Sequence, residues 1–425
     1  MSHKQFKRPW GIFLAIALAV PFGSWAGAER GLFGVSFYSM VSTASTLFLN
    51  ALTLVVVPLV FSSIIAGISR IGNEKQLGRL GLKMFAFYLG TSLLAILIGL
   101  FFVNLIQPGS GHIFPAVADA GVEDRLKQHI ANQQNATITN VLFAMVPSNI
   151  LKALGQGEML GLIFFALLFG YSISKVETQS ATLLRGFFQG IFLSMIEFTH
   201  LIMKVLPYGV FALVARAFMS TGLHSLAAMA WFALSVLLGL ITFMFIALPL
   251  LLKWIGRVRP QNHFKAMAPA LVTAFSTSSS SATLPITMEC VEKRAGVSNR
   301  ICSLVIPLGT SINMSGSALY ECVAAMFLAQ VYGIDLSFAT QFLIVAMALI
   351  TSIGVAGVPS ASLVAILVIL KVVGLPAEGI GFFIAVDRLL DMCRTTVNVF
   401  SDSCCAVLVA KSDGEKNILE SGMYE

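Results

Sequence analysis

The chain has 425 residues, of which 57% are hydrophobic and only 11% charged, with a mean hydropathy of +0.87. Soluble domains carry about 25% charged residues, so composition excludes a soluble globule and points to an all-α polytopic membrane protein. The net charge of +7 does not signal a nucleic-acid binder, because the basic residues sit in short loops between apolar segments.

Residues 1–28 combine Lys4, Lys7 and Arg8, an apolar run from Gly11, and small residues at Ala26 to Ala28. The pattern fits a secretory signal or a retained first span, and the polytopic remainder favours retention. A second span is predicted over about 43–68, followed by a basic loop with Arg70, Lys75, Arg79 and Lys83. The third, about 83–106, contains Tyr88, Thr91 and Ser92, a polar cluster that a lipid-facing helix would not need. Residues 108–138 form the longest polar connection, with Asp119, Glu123 and Asp124 against Arg125 and Lys127. Asn135 to Thr137 matches a glycosylation sequon and is read as chance. Apolar segments follow at about 139–174, 186–218 and 223–255; Pro147 and Gly155 are predicted to break the first of them into pieces.

Two later segments read as re-entrant hairpins rather than crossings. Residues 267–288 frame a serine-rich tip, Phe275 to Pro285, with apolar arms, and residues 340–372 frame a Gly/Pro tip, Ser352 to Ser362. Non-helical backbone at membrane depth is tolerated only where it lines a cavity or a ligand site, and paired interruptions in corresponding halves point to a transporter's binding site. If neither segment crosses, all the basic loops fall on one side, so the positive-inside rule predicts that both termini are cytoplasmic. Between the hairpins, Gly309 to Ser317 suggests an unwound helix around Asn313, whose carbonyls could coordinate a monovalent cation. Glu321 lies about one turn beyond, a lone carboxylate read either as a hydrogen-bonding partner or as a proton carrier. The six cysteines lack zinc-like spacing and are read as small buried hydrophobes.

The stretch from Ala385 to Asp402 carries the chemistry. Asp387, Asp391, Arg394, Asn398 and Asp402 follow helical steps of four, three, four and four, so they share one face. Asp or Arg at the centre of a membrane helix costs roughly 2.5–3.5 kcal/mol. Three aspartates and an arginine on one stripe therefore imply a polar interior completed by ligands. An amphipathic helix at a water surface is disfavoured, because Met392, Val397, Val399 and Phe400 keep the other faces apolar.

Taken together, the serine-rich tip, Asn313 to Ser317, the Gly354–Pro359 tip and the stripe Asp387 to Asp402 resemble the dicarboxylate/amino acid:cation symporter family, in particular its glutamate/aspartate transporters. The resemblance covers nearly the whole chain from the second span. It implies eight transmembrane helices plus two re-entrant helical hairpins with inverted repeats, assembled as a homotrimer in a bacterial inner membrane. Scaffold spans would occupy 1–82 and 108–222, and a mobile transport domain 83–107 and 223–425. For the substrate, it implies that Arg394 holds the side-chain carboxylate and Asp391 the α-amino group. Asn398, Ser317 and the Ser280–Ser281 tip would hold the α-carboxylate, with Gly357 and Thr395 beside them. One sodium site would combine Asp402 with carbonyls of Gly309, Asn313 and Asn398; a second would use carbonyls of Ser311, Met314, Ser352, Ile353 and Val355. The chemistry agrees, since guanidinium is a fork for carboxylate and hard oxygens suit a hard cation.

The sequence departs from the family pattern in three places. Ser315 and Ser317 replace the aspartate and threonine of an Asn-Met-Asp-Gly-Thr motif, so a third sodium site of Tyr88, Thr91, Ser92, Asn313 and Ser315 loses its charge. Ser278 and Met392 stand where relatives place an arginine, with Arg388 as a candidate substitute. The expected activity is symport of acidic amino acids, driven by sodium, protons or both, with no organic cofactor. A C4-dicarboxylate carrier would have no use for Asp391, and a neutral amino-acid carrier none for Arg394. A channel needs a continuous pore, whereas paired tips look like gates. An enzyme is disfavoured because no His or Cys is placed with a base.

Overall fold

The computed structural model describes residues 9–27, 30–32, 35–71, 77–110, 146–156, 159–221, 224–353, 362–376, 379–416 and 418–419. Hydrocarbon offers the backbone no hydrogen-bond partners, so an apolar chain of this kind satisfies its amides internally, as helices. The first is α1 (Pro9–Ala26), followed by a minimal antiparallel pair of β1 (Gly31–Leu32) and β2 (Val35–Ser36). Then come α2 (Phe37–Ile71), α3 (Leu77–Ile106), α4 (Ile150–Gln156) and α5 (Met159–Ile173). The apolar segment expected as one span at 186–218 is instead two helices, α6 (Thr178–Lys204) and α7 (Leu206–Thr221). Pro207 explains the break, because it has no amide to donate and its ring crowds the preceding turn.

Helix α8 (His224–Thr242) runs through one π turn, Phe243–Ala247, into α9 (Leu248–Trp254). The serine-rich segment folds as α10 (Pro260–Thr277) and α11 (Ser280–Glu289). They are separated by Ser278, which is left-handed (φ 51°), and by Ser279, whose Oγ accepts from the Ala282 amide. Next, α12 (Asn299–Ile312) and α13 (Ser315–Val331) are interrupted at Asn313 and Met314, where the sequence suggested unwinding. The last elements are α14 (Phe338–Ser352), α15 (Ser362–Val373) and the 33-residue α16 (Ile380–Ser412). Among the described residues, Leu80–Ile106, Ala227–Trp254 and Asn299–Val331 are long and apolar enough to cross a membrane, and all of the last from Ser315 to Val331 except Gln330 is buried in protein.

Small residues set the closest helix approaches, as expected where apolar lipid gives helices no hydrophobic reason to associate. A Cβ on Gly23 of α1 would lie 2.7 Å from the Ala215 carbonyl of α7, and one on Gly209 of α7 would enter the Phe48 ring of α2. Helix α2 also packs on α5 and α6. Elsewhere α3 lies along α13, and α16 packs against α3, α8, α10, α12 and α13. The chain end closes over this second group. Lys83 pairs with Asp413 at 3.5 Å, Asn262 donates to the Leu419 carbonyl at 3.0 Å, and Glu415 accepts from the Ser298 amide at 3.1 Å.

Several sequence features lie outside the described residues. They are Lys4, Lys7, Arg8, Lys75, the polar connection with Asp119 to Asn135, and the second hairpin tip from Gly354 to Pro359 with Val355 and Gly357.

The contact of α3 with α13 yields a test. A Cβ on Gly99 would sit 2.9 Å from Leu319 Cγ and 3.2 Å from the Leu319 carbonyl, whereas one on Gly90 would meet nothing within 4 Å. Gly99→Leu is expected to destabilise the protein by about 1–3 kcal/mol, and Gly90→Leu to leave it unchanged. Thermal unfolding in detergent measures both, and equal midpoints would contradict this packing.

Candidate functional site

The site is built on one face of α16. Asp387, Asp391, Arg394, Asn398 and Asp402 are all buried, and Arg394 is fully enclosed. Taking a guanidinium out of water costs several kcal/mol unless partners replace the water. Here Arg394 Nη2 donates to Asp387 Oδ1 and to Asp391 Oδ1, each at 2.9 Å. The guanidinium also lies 3.7 Å over the Tyr320 ring, a desolvated cation–π contact. The Tyr320 hydroxyl donates to the same Asp387 oxygen at 3.1 Å, which fixes that carboxylate. Arg394 Nε and Nη1 find no acceptor among the described residues. One cation thus stands between two carboxylates with donor capacity unspent.

A turn further on, α16 meets the break between α12 and α13. Asn398 Oδ1 accepts from the amides of Gly316 (2.8 Å) and Ser317 (3.3 Å), capping the exposed start of α13, and its Nδ2 donates to Ser317 Oγ at 3.1 Å. Gly316 permits that approach, since a Cβ there would lie 2.9 Å from the Arg394 carbonyl. Gly309 does the same for Asp402, whose Oδ1 would stand 2.7 Å from a Cβ. Asp402 Oδ1 accepts from Asn313 Nδ2 at 2.9 Å. The Gly309 carbonyl accepts from the Asn313 amide and the Met314 carbonyl from the Ala318 amide, which leaves each one lone pair for a cation.

On the Oδ1 side of Asn313 the contacts are with hydroxyls alone. Its Oδ1 faces the hydroxyls of Thr91 (3.1 Å), Ser92 (3.3 Å) and Ser315 (3.0 Å). Ser315 Oγ lies 3.2 Å from both Ser92 Oγ and Ser401 Oγ. Tyr88, grouped with these residues on sequence grounds, spends its hydroxyl on the Val305 carbonyl instead. Glu321 is fully buried; Oε2 accepts from Thr351 Oγ1 at 2.7 Å, and Oε1 has no partner among the described residues.

Other expected residues are less tightly joined. Ser280 is buried in the first turn of α11 and Ser281 is exposed; among the described residues no hydrogen bond links either to Arg394, Asn398 or Ser317. Ser278 is buried with its hydroxyl unpartnered there. Thr395, Met314, Ile353 and Ser352 are buried, and Ser311 is half-buried. Val355 and Gly357 lie outside the described residues. Sequence reasoning missed Tyr320, Thr351 and Ser401. Tyr320 stands three residues beyond Ser317 and four beyond Gly316, so helical spacing already put it on the α13 face that meets α16.

The ring and the hydroxyl of Tyr320 can be separated by mutation. Tyr320→Phe keeps the face under the guanidinium and is expected to cost about 1 kcal/mol. Tyr320→Leu also loses the cation–π contact, a further loss of about 2 kcal/mol. Chemical unfolding in detergent compares them, and equal stability of the two variants would contradict a role for the ring.

Comparison with known proteins agrees with this architecture. The sequence profile described as "Sodium:dicarboxylate symporter family" matches residues 9–412. The chain is 34% identical to a proton/glutamate-aspartate symporter of Escherichia coli (strain K12), over 100% of this chain and 97% of the relative. It is 36% identical to a proton/sodium-glutamate symport protein of Bacillus subtilis (strain 168), over 98% of this chain and 95% of that relative. A C4-dicarboxylate transport protein of the same Bacillus is 32% identical over 87% of this chain and 86% of its own. The names denote transporters rather than enzymes, and with a match spanning nearly its whole length the chain belongs to the sodium:dicarboxylate symporter family.

Proposed function

We propose that this protein is a secondary active symporter importing glutamate or aspartate, coupled to protons, sodium or both. The observation that carries the reading is the buried Arg394, paired with Asp391 on one helix face and with donors to spare. An acidic amino acid brings what this arrangement lacks: a carboxylate for the guanidinium and an ammonium for Asp391. Its arrival would replace the internal ion pair by two pairs to the ligand. Relatives named for glutamate and aspartate symport support the substrate class. The relative named for C4-dicarboxylate transport favours a second reading, but a dicarboxylate would leave Asp391 facing another anion.

In this reading Asn398, Ser317, Thr395, Gly357 and the Ser280–Ser281 tip complete the substrate site, and the tips of the two hairpins act as gates. Asp402 with the carbonyls of Gly309, Asn313 and Asn398 holds one sodium ion. Carbonyls of Ser311, Met314, Ser352, Ile353 and Val355 hold another. Helices α1, α2 and α4–α7 form the scaffold of a homotrimer with cytoplasmic termini in a bacterial inner membrane. The remaining helices move as an elevator, carrying the eight-span, two-hairpin topology through alternating access. Helices α1, α2 and α5–α7 pack chiefly on one another and α3, α8, α10, α12 and α13 gather around α16, which supports that division, with α7 against α16 and α15 against α2 as the main contacts between the two groups.

Coupling follows from Ser315 and Glu321. A carboxylate about 4 Å from a sodium ion attracts it by about 4 kcal/mol at an effective dielectric of about 20; the hydroxyl of Ser315 cannot match that. The uncharged contacts among Thr91, Ser92, Asn313, Ser315 and Ser401 are mutually satisfied without a cation. Glu321, with one oxygen idle, is the candidate carrier of a proton that replaces this ion.

Two experiments test the proposal. Arg394→Cys should weaken acidic substrate by about 2–5 kcal/mol, roughly 30-fold to 4,000-fold, and admit small neutral amino acids; unchanged glutamate uptake in proteoliposomes would sink the assignment. Reversal potentials measured against sodium and proton gradients test the coupling. Ser315→Asp should raise the sodium count and Glu321→Gln should remove pH dependence. An unaltered count together with unaltered pH dependence would refute the coupling scheme.

A further inference from the structure

The joint between α9 and α10 carries a feature the transport chemistry does not use. Lys253, Arg257 and Arg259 are exposed there, and Lys265 is exposed on α10. Among the described residues none of the four has a carboxylate within ion-pair distance, whereas Lys83 and Lys293 do. No Asp or Glu occurs in the sequence between Glu197 and Glu289, so these charges are locally uncompensated.

Beside them stand Trp254, 70% exposed, and Ile255, 52% exposed. Trp254 ends an exposed apolar stripe formed by Ile241, Phe245 and Leu250. The spacing along it is four, five and four, and the five-residue step crosses the π turn Phe243–Ala247, which keeps the stripe on one face. From Ile241 to Trp254 the rise is about 20 Å, somewhat more than one leaflet of about 15 Å. Apolar stripe, indole and cations therefore follow one another in the order of acyl chain, interface and headgroup.

The turn is firmly mounted. Val258 is buried and its amide donates to the Leu252 carbonyl at 3.2 Å, while a Cβ on Gly256 would meet that carbonyl at 2.8 Å and Leu408 of α16 at 3.3 Å. Arg257 itself is left-handed, with φ 52°. Glycine would adopt that backbone freely and arginine does so against a steric penalty. The position thus holds a guanidinium at the expense of local backbone comfort.

We infer that this joint is a binding surface for an anionic phospholipid: the acyl chain lies along Ile241, Phe245 and Leu250, the indole of Trp254 sits at the interface, and Arg257 and Arg259, with Lys253 and Lys265 nearby, hold the phosphate. Guanidinium groups match phosphate oxygens in geometry and charge, and polybasic segments beside a span are attracted to anionic leaflets. Because the joint links α9 to α10 and packs on α16, the lipid would hold the end of the substrate-bearing helices at the headgroup layer.

The test uses the full-length protein in nanodiscs of phosphatidylcholine alone or with phosphatidylglycerol, reading the thermal unfolding midpoint. Phosphatidylglycerol should raise the midpoint of the unmodified chain. Most of that rise should vanish in R257Q/R259Q but persist in K175Q/K293Q, which removes two cations elsewhere. Arg257→Gly is the second variant: relieved of the left-handed strain, it should be at least as stable in neutral lipid yet lose much of the response. A full rise in R257Q/R259Q or in Arg257→Gly, or an equal loss in K175Q/K293Q, would overturn the inference. So would inorganic phosphate reproducing the rise in neutral discs.

Discussion

A single enclosed arginine constrains the rest of the molecule. Arg394 cannot face lipid, and its charge cannot be left bare in a low-dielectric interior. Helix α16 must therefore be wrapped, and α3, α8, α10, α12 and α13 all pack on it. Two carboxylates and a tyrosine ring from α16 and α13 replace the water that the guanidinium gave up. The replacement is incomplete, with Nε and Nη1 unpartnered among the described residues, and in the proposed function that incompleteness is what lets a ligand bind. A fully satisfied buried arginine would have no reason to exchange partners with a ligand.

The same economy governs the broken helices. A break exposes amides and carbonyls that hydrocarbon cannot satisfy, and at the breaks near α16 side chains answer them. Asn398 caps α13, Ser279 caps α11, and Asn313 bridges its own break to Asp402. Glycine at 309 and 316 lets α16 come close enough for these contacts. In the proposed function, substrate recognition and ion binding would be coupled through shared residues. Asn398, on the arginine's own helix, caps the start of α13, and Asp402 one turn on reaches the Asn313 that also faces Ser315.

Much of this was legible in the sequence, for definite reasons. Charged residues at helical spacing inside an apolar stretch cannot be accidental, so the α16 face could be read directly. The breaks at Ser278 and at Asn313 were visible because serine, glycine and asparagine interrupt otherwise apolar arms. The break at Val205 was hidden, although Pro207 was in plain view, because hydropathy continues smoothly across it. Partner choice across long separations was also hidden. Tyr88 belonged by position to the hydroxyl cluster, yet its OH goes to Val305. The roof that Tyr320 forms over Arg394 depends on how α13 and α16 are rotated against each other, which only packing decides.

Everything rests on the claim that the arginine and its neighbouring aspartate read an acidic amino acid and that its entry is driven by ions. Uptake of labelled glutamate, aspartate and succinate into proteoliposomes, with sodium and proton gradients imposed separately, tests that claim most directly. The account predicts gradient-driven accumulation of glutamate or aspartate, with succinate a poor competitor and with an inward proton gradient accelerating entry. Succinate outcompeting both amino acids, or uptake indifferent to both gradients, would contradict it.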